Sequence, residues 1–293
     1  MSFFIEVGLG GLAAGAMYSL VALCFVLIYK ASGVFNFAQG AMMFFAMLSF
    51  VNLLAVGIPF WLVFVLTLIF MVLSGVVIER LVLRPLTNQP SMTLFMAMIG
   101  LSITIEGLAQ LIWGSKQFGL DLGIKDVPIE IGNVRLSQFD LFAALVAGAL
   151  VLILGTFFNR TATGRALRAV ADDHQAALSI GIPLVRMWQI VWGIAGAVAL
   201  VGGLLWGARL GVQFGLIVVA LKALPVLILG GFTSVAGAIV GGLIVGASEK
   251  IAEVYLGSLI GGGIENWFPY ILAMLFLLIR PNGLFGERRI ERV

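Results

Sequence analysis

The chain has 293 residues, 61% of them hydrophobic and 11% charged, with a formal net charge of +3. Soluble domains carry about 25% charged residues, so a water-facing globular surface is excluded. Uncharged runs at 7–29, 141–159 and 187–208 approach or exceed the roughly 20 residues of a spanning helix. Barrel strands would instead alternate apolar and polar residues over about ten positions. The expected fold class is all-α and polytopic. A single transmembrane domain over 1–293 is expected, because the hydrophilic segments reach only about 25 residues and could not bury a core of their own. The one cysteine, Cys24, excludes an intrachain disulfide. The opening "MSFFIEVGLGG" lacks the basic stretch of a signal peptide, so the first helix is expected to be retained.

In chain order, the first span is expected at 5–29. Residues 31–78 hold no charge and suit two spans, turned at Gly57 and Pro59. Between the first two spans lies "GVFNFAQGAM", uncharged but polar at Asn36 and Gln39. Three residues apart, these amides share a face of any helix. They are candidates to line a translocation path; alternatively, Asn36 caps a helix beginning near Phe37 and Gln39 meets a backbone carbonyl. Further spans are expected near 93–113, 138–158, 187–208 and 266–280. With the glycine-rich region between 210 and 260 the total is about eight. Glu106, deep in its span, could be protonated, paired or facing a cavity, and a structural pair is the favoured expectation.

Positive charges set the orientation. Lys30, Arg80, Arg84, Arg160, Arg165, Arg168, Arg186, Arg280 and the tail Arg288, Arg289 and Arg292 fall on one set of loops. Lys116, Lys125, Arg135 and Arg209 fall on the other, the first three diluted by Asp121, Asp126 and Glu130. The first set is assigned to the cytoplasm, which places the N-terminus outside and the C-terminus and the 159–186 loop inside. The segment 216–248 must then return to the side it left, and it is short for two full spans. A pair of half-helices meeting inside the membrane fits best; two tilted full helices, the second reaching about residue 257, are the alternative. The break falls at "LGGFTSVAGAIVGG", where Thr233 and Ser234 occupy a gap that faintly echoes "FNFAQGAMM". Glycine-interrupted apolar segments in corresponding halves point to a central substrate site. Asn36, Gln39, Lys222, Thr233 and Ser234 are therefore the candidate path residues, although Lys222 could instead snorkel to the interface. The pairs Gly11/Gly15, Gly237/Gly241 and Gly242/Gly246 have the spacing of tight helix contacts.

The loop "NRTATGRALRAVADDHQAALSIGIPLVR" is the most structured polar segment. Thr163 can cap a helix beginning at Gly164, and Gly181 followed by Pro183 ends it. Leu167, Val170, Ala171, Ala177 and Leu178 form an apolar stripe; Arg165, Arg168, Asp172 and Asp173 lie elsewhere on the helix. Such a helix lies on lipid or docks in a partner's groove, and its two aspartates favour the partner. His174, on the same helix, is expected to meet partner or solvent rather than metal. There is no G-x-x-x-x-G-K-[ST] phosphate loop, no metal-ligand cluster and no nucleophile set. Chemistry of its own is not expected.

With "GAMYSLVAL", "VFNFAQGAM", "IERLVLRPL", "GRALRAVADDHQAALSIGI", "KALPVLILGGFTSVAGAIVGGLIVGASE" and "RPNGLFG", the chain resembles the permeases of branched-chain amino-acid ABC importers over nearly its whole length. The resemblance implies a bacterial inner-membrane protein working with a second permease subunit, identical or related. Two cytoplasmic ATPases would hold ATP and Mg, and a periplasmic binding protein would deliver substrate. This chain would bind lipid but no cofactor and no nucleic acid. The helix at about 164–180, with Arg165, Arg168, Asp172, Asp173, Ala177 and Leu178, is similar to the family's coupling helix. Gln39 departs from the histidine common in the family. That departure leaves urea, short amides and small organic acids beside branched-chain amino acids as substrate classes. A stand-alone carrier or channel is the remaining alternative.

Overall fold

A computed structural model of the chain describes residues 2–86, 89–114, 116–124, 127–132 and 134–286. The charges of Lys125, Asp126, Arg288, Arg289 and Arg292, used above for orientation, lie outside the described residues, as does the side chain of His174. The protein is a mostly helical, polytopic membrane protein. Among the described residues, six helices are long and apolar enough to cross a bilayer. Two compact units are interleaved along the chain: Met1–Val26 with Gly123–Ile153 and Lys222–Val293, and Leu27–Leu122 with Leu154–Leu221.

The second unit is built around α2 (Gln39–Ala55) and α8 (Leu184–Leu210), with α3 (Phe60–Ile78), α4 (Ser91–Trp113) and the short α9 (Gly215–Leu221) packed against them. Helices that are apolar all round belong inside a bundle, and Met42, Met43, Met47, Phe44 and Phe50 of α2 are fully buried. The crossing of α3 and α8 is closer than ordinary side chains allow: a Cβ at Gly75 would strike the Trp192 carbonyl, and one at Gly196 the Met71 carbonyl. Beyond α3 the helix widens into one π turn, Glu79–Leu83. This turn brings residues five apart together. Buried Glu79 there receives a two-pronged bond from Arg84, 3.3 Å from Nε and 2.9 Å from Nη2.

In the first unit the N-terminal part of α1 (Ser2–Ser32) runs antiparallel to α11 (Val235–Ile260). Gly11 and Gly15 meet Gly246 and Gly242, and Ser19 Oγ donates to the Ile239 carbonyl at 3.1 Å. On α11, Gly237 and Gly241 face Gly230 and Val226 of α10 (Ala223–Gly230). The glycine pairs singled out in the sequence are thus sites of tight packing. Helix α12 (Phe268–Ile279) packs on α10 and α11. Part of α5 (Gln138–Arg160) also belongs to this unit. Before α5, strands β1 (Pro128–Ile131) and β2 (Val134–Ser137) form an antiparallel ribbon turned at Gly132, whose φ is +65°. The ribbon is a small departure from the all-α expectation. Its alternating Ile129, Val134 and Leu136 lie in a stretch that reads as loop by charge alone.

The region after 210 also differs from the favoured expectation. Helices α9 and α10 are separated by Lys222, and together Gly215–Gly230 makes only a short apolar helix. Helix α11, by contrast, is a full span of 26 residues. The half-helix pair does not form: a short apolar segment is followed by a helix long enough to cross a bilayer, near the alternative of two helices.

The zipper of α1 and α11 yields a test. A methyl at Gly15 would lie 2.6 Å from the Gly242 oxygen, whereas one at Gly8 meets nothing within 4 Å. Gly15→Ala is expected to lower stability in detergent thermal unfolding by about 1–3 kcal/mol, and Gly8→Ala to change it by no more than about 0.5 kcal/mol. Equal effects would argue against the close approach.

Candidate functional site

The break between α1 and α2 is a buried, uncharged polar feature of the second unit. Helix α1 ends at Ser32, Gly33 takes φ +69°, and residues 34–38 are not helical. Asn36 and Gln39 are both fully buried. The Asn36 Oδ1 accepts from the Ala38 amide at 3.1 Å, and its Nδ2 donates to Gln39 Oε1 at 3.0 Å. Gln39 Nε2 in turn donates to the Ala195 carbonyl at 3.2 Å. Ala195 lies well inside α8, eleven residues from its start at Leu184. At 1.5 Å per residue that is about 16 Å along the helix, half the thickness of a hydrocarbon core. Seven residues closer to the start, Trp188 Nε1 donates to the Ala31 carbonyl at 2.8 Å and holds the end of α1. The break therefore sits at membrane depth with its amides turned inward. Asn36 supports the turn, Gln39 meets a backbone carbonyl, and the helix begins at Gln39 rather than near Phe37.

In the first unit Lys222 is buried at the start of α10 and forms an ion pair with Glu249 of α11, Nζ to Oε1 3.0 Å. Tyr18 of α1 donates to the same oxygen at 3.2 Å. The second oxygen, Oε2, has no hydrogen-bond partner among the described residues. Glu249 was missed in the sequence, although a signal existed: a lysine in apolar surroundings demands a nearby carboxylate, and the uncharged start of α11 ends at Glu249. Lys222 neither snorkels nor stands alone.

Thr233 and Ser234 lie in the turn between α10 and α11, not in a break midway through the bilayer. Because α11 is full length, this turn falls at a helix end, where Ser234 Oγ accepts from the Gly237 amide at 3.0 Å as an N-cap. The C-terminal segment seals the turn: Leu284 N donates to the Leu229 carbonyl at 2.8 Å and Phe285 N to the Gly230 carbonyl at 3.1 Å. Glu106 on α4 receives a 3.4 Å bond from Gln110, so its partner is neutral.

The 159–186 loop folds as two helices, α6 (Ala162–Asp172) and α7 (His174–Ser179). Thr161, not Thr163, caps the first, its Oγ1 accepting from the Gly164 amide at 3.0 Å. Gly164 has no room for a Cβ against the carbonyls of Phe157 and Phe158, which draws the helix start back towards Thr161. Asp173 interrupts the helix and caps the second, Oδ1 accepting from Gln175 N at 2.8 Å and Ala176 N at 3.0 Å. Arg168 ties α6 to Asn159, and Arg165 reaches the Arg160 carbonyl. The apolar stripe divides: Leu167, Val170 and Ala177 are buried within the chain, while Leu178 is 54% and Ile180 73% exposed. Ala177 is therefore corrected from a docking residue to a packing residue. Arg165, Asp172, Asp173 and Leu178 remain on the surface.

The sequence model of the family described as the permease component of the branched-chain amino acid transport system matches residues 8–280. The chain belongs to that family. This permease is 29% identical to the high-affinity branched-chain amino acid transport system permease protein LivH of Salmonella typhimurium, across 99% of this chain and 98% of that one. It is 26% identical to BraD of Pseudomonas aeruginosa over 99% and 98%. A partial match, 29% identical over 48% of this chain and 38% of the other, is to the L-arabinose permease protein AraH of Escherichia coli. Among solved structures, PsaBC from Streptococcus pneumoniae in complex with Fab shares the fold at TM-score 0.55 and 15% identity, covering 93% of the permease and 91% of that chain.

The Lys222–Glu249 pair makes a specific prediction. Lys222→Met strands a buried carboxylate and is expected to cost roughly 3–5 kcal/mol, whereas the double variant Lys222→Met/Glu249→Met should recover most of it. Thermal unfolding in detergent measures both; a double variant no better than the single would count against the pairing.

Proposed function

We propose that this chain is the membrane-spanning subunit of an ATP-driven importer, with a periplasmic N-terminus and a cytoplasmic C-terminus in a bacterial inner membrane. It works with a second permease subunit, two cytoplasmic ATPases that carry ATP and Mg, and a periplasmic binding protein. The observation that carries this reading is the family match across residues 8–280. The basic 159–186 loop, with surface-facing Leu178 and Ile180, supports it as the site of ATPase contact.

The proposed mechanism uses the continuity of the second unit. ATPase closure pushes on α6 and α7, and Pro183 passes the push directly into α8. Helix α8 is 27 residues long and carries the Ala195 carbonyl that Gln39 holds. Movement of α8 exchanges that bond and turns Asn36 and Gln39 toward the solute. Affinity resides in the binding protein, so the permease needs only weak, shape-selecting amides. Branched-chain amino acids, named for the relatives LivH and BraD, are the first substrate class. Gln39, with its carboxamide at the break, keeps urea, short amides and small organic acids as a second.

In liposomes holding the full complex, uptake is expected to stop when ATP is removed. Leu178→Asp should lower uptake at least about tenfold, the effect of roughly 1.4 kcal/mol at the docking surface, without changing membrane insertion or melting temperature. Ala177→Asp should lower the melting temperature itself, because that side chain is 1% exposed. Wild-type uptake by Leu178→Asp, or flux by this chain alone without ATP, would point instead to a stand-alone carrier.

A further inference from the structure

The first unit contains a groove that the mechanism proposed above does not use. It is a cavity of about 490 Å³ between the N-terminal half of α1, the start of α5 and the middle of α11. Its charged residues, Glu6, Arg135, Asp140 and Lys250, carry both signs in equal number. The Arg135 amide donates to Glu6 Oε2 at 3.3 Å, joining two of them at one end. Asp140 is on the first turn of α5, directly after β2. The stem of Lys250 begins beside Gly11 of α1. Lys250 makes no hydrogen bond among the described residues, and its charge acts on Glu253, three residues further along α11.

Away from that end the walls are apolar: Leu9, Leu12, Ala13 and Ala16 of α1, Leu141 of α5 and Leu243 of α11. From Glu6 to Ala16 is ten residues of α1, about 15 Å at 1.5 Å per residue, or half of a hydrocarbon core about 30 Å thick. The groove thus has the depth of one leaflet. Its wall residues Leu9, Leu12 and Leu141 are themselves 40%, 39% and 40% exposed, so it opens sideways to the acyl chains of the bilayer.

We propose that this groove binds a zwitterionic aminophospholipid. Lys250 and the guanidinium of Arg135, whose Nε is held by Glu130 at 3.0 Å and whose terminal nitrogens face the ligand, take the phosphate diester. Glu6 and Asp140 take the ammonium, and one acyl chain lies along Leu9, Leu12 and Leu243. A dissolved amino acid matches the charges but leaves the apolar depth empty. A wholly anionic lipid sets its phosphate against two carboxylates with no ammonium to offset them. A choline headgroup has no N–H to donate to them.

Native mass spectrometry of the full permease complex tests this, with the complex exchanged into micelles holding equal amounts of phosphatidylethanolamine, phosphatidylcholine and phosphatidylglycerol. The wild type is expected to retain phosphatidylethanolamine about fivefold over the other two, the scale of one headgroup–charge contact. Glu6→Gln/Lys250→Gln should abolish the preference without altering packing. Ala144→Phe, which fills the groove from α5, should lower the number of lipids retained. Equal retention of the three lipids by the wild type, or an unchanged preference in both variants, would overturn the proposal. Displacement of the lipid by excess leucine would assign the groove to a solute, and a changed subunit count in Ala144→Phe would assign it to a subunit contact; either result also overturns it.

Discussion

Inside a bilayer no water is available to pair with an interrupted helix, so every break must be closed by protein. The chain meets this constraint at the break 33–38, and closes the helix ends at 231–234 by different means. At the first, two side-chain amides and the Ala195 carbonyl complete the turn. At the second, the backbone of 284–285 comes back to the last carbonyls of α10 while Ser234 caps α11. Bringing such partners close enough requires backbones almost in contact. Residues without a Cβ at Gly15, Gly75, Gly196, Gly237 and Gly246 make that approach possible.

The same constraint governs the charges. Lys222 and Glu249 are each buried and answer one another, with Tyr18 sharing the bond. A buried pair of this kind contributes little net stability but is costly to split, so it fixes how α10 meets α11 rather than strengthening the unit. Glu79 and Arg84 do similar work at the end of α3, where a π turn supplies the spacing. Neither pair needs to touch the solute to matter for transport.

Much of this was legible in the sequence, for identifiable reasons. Uncharged length marks α1, α3, α5 and α8, and apolar length with the one acid Glu106 marks α4, because a bilayer leaves few alternatives. Glycine spacing marked the close-packing faces of α1 and α11, though not which helices they meet. The polar break at Asn36 and Gln39 stood out because two amides are expensive in an apolar run. Other features depended on contacts distant in the chain. Glu249 is 27 residues from Lys222, and nothing local ties them. The full length of α11 was obscured because its glycines read as a break while they in fact serve packing. In the 159–186 loop, Asp173 read as part of a polar face, yet its side chain caps a second helix. That division turns Ala177 inward and leaves Leu178 outside. The candidate path residues separate accordingly: Asn36 and Gln39 share one break, Lys222 belongs to an ion pair, and Thr233 and Ser234 belong to a helix end.

The central claim is that the break at 33–38 is sealed at rest and opened by ATP-driven movement of α8. The substitution Ala38→Cys, at a buried neighbour of Gln39 that leaves both amides in place, can report this directly, since the native Cys24 is buried. In liposomes holding the full complex, a membrane-impermeant thiol reagent should leave position 38 unmodified at rest. It should label the position once ATP and the loaded binding protein are supplied. Labelling at the same rate without ATP, or none during measurable uptake, would contradict the claim.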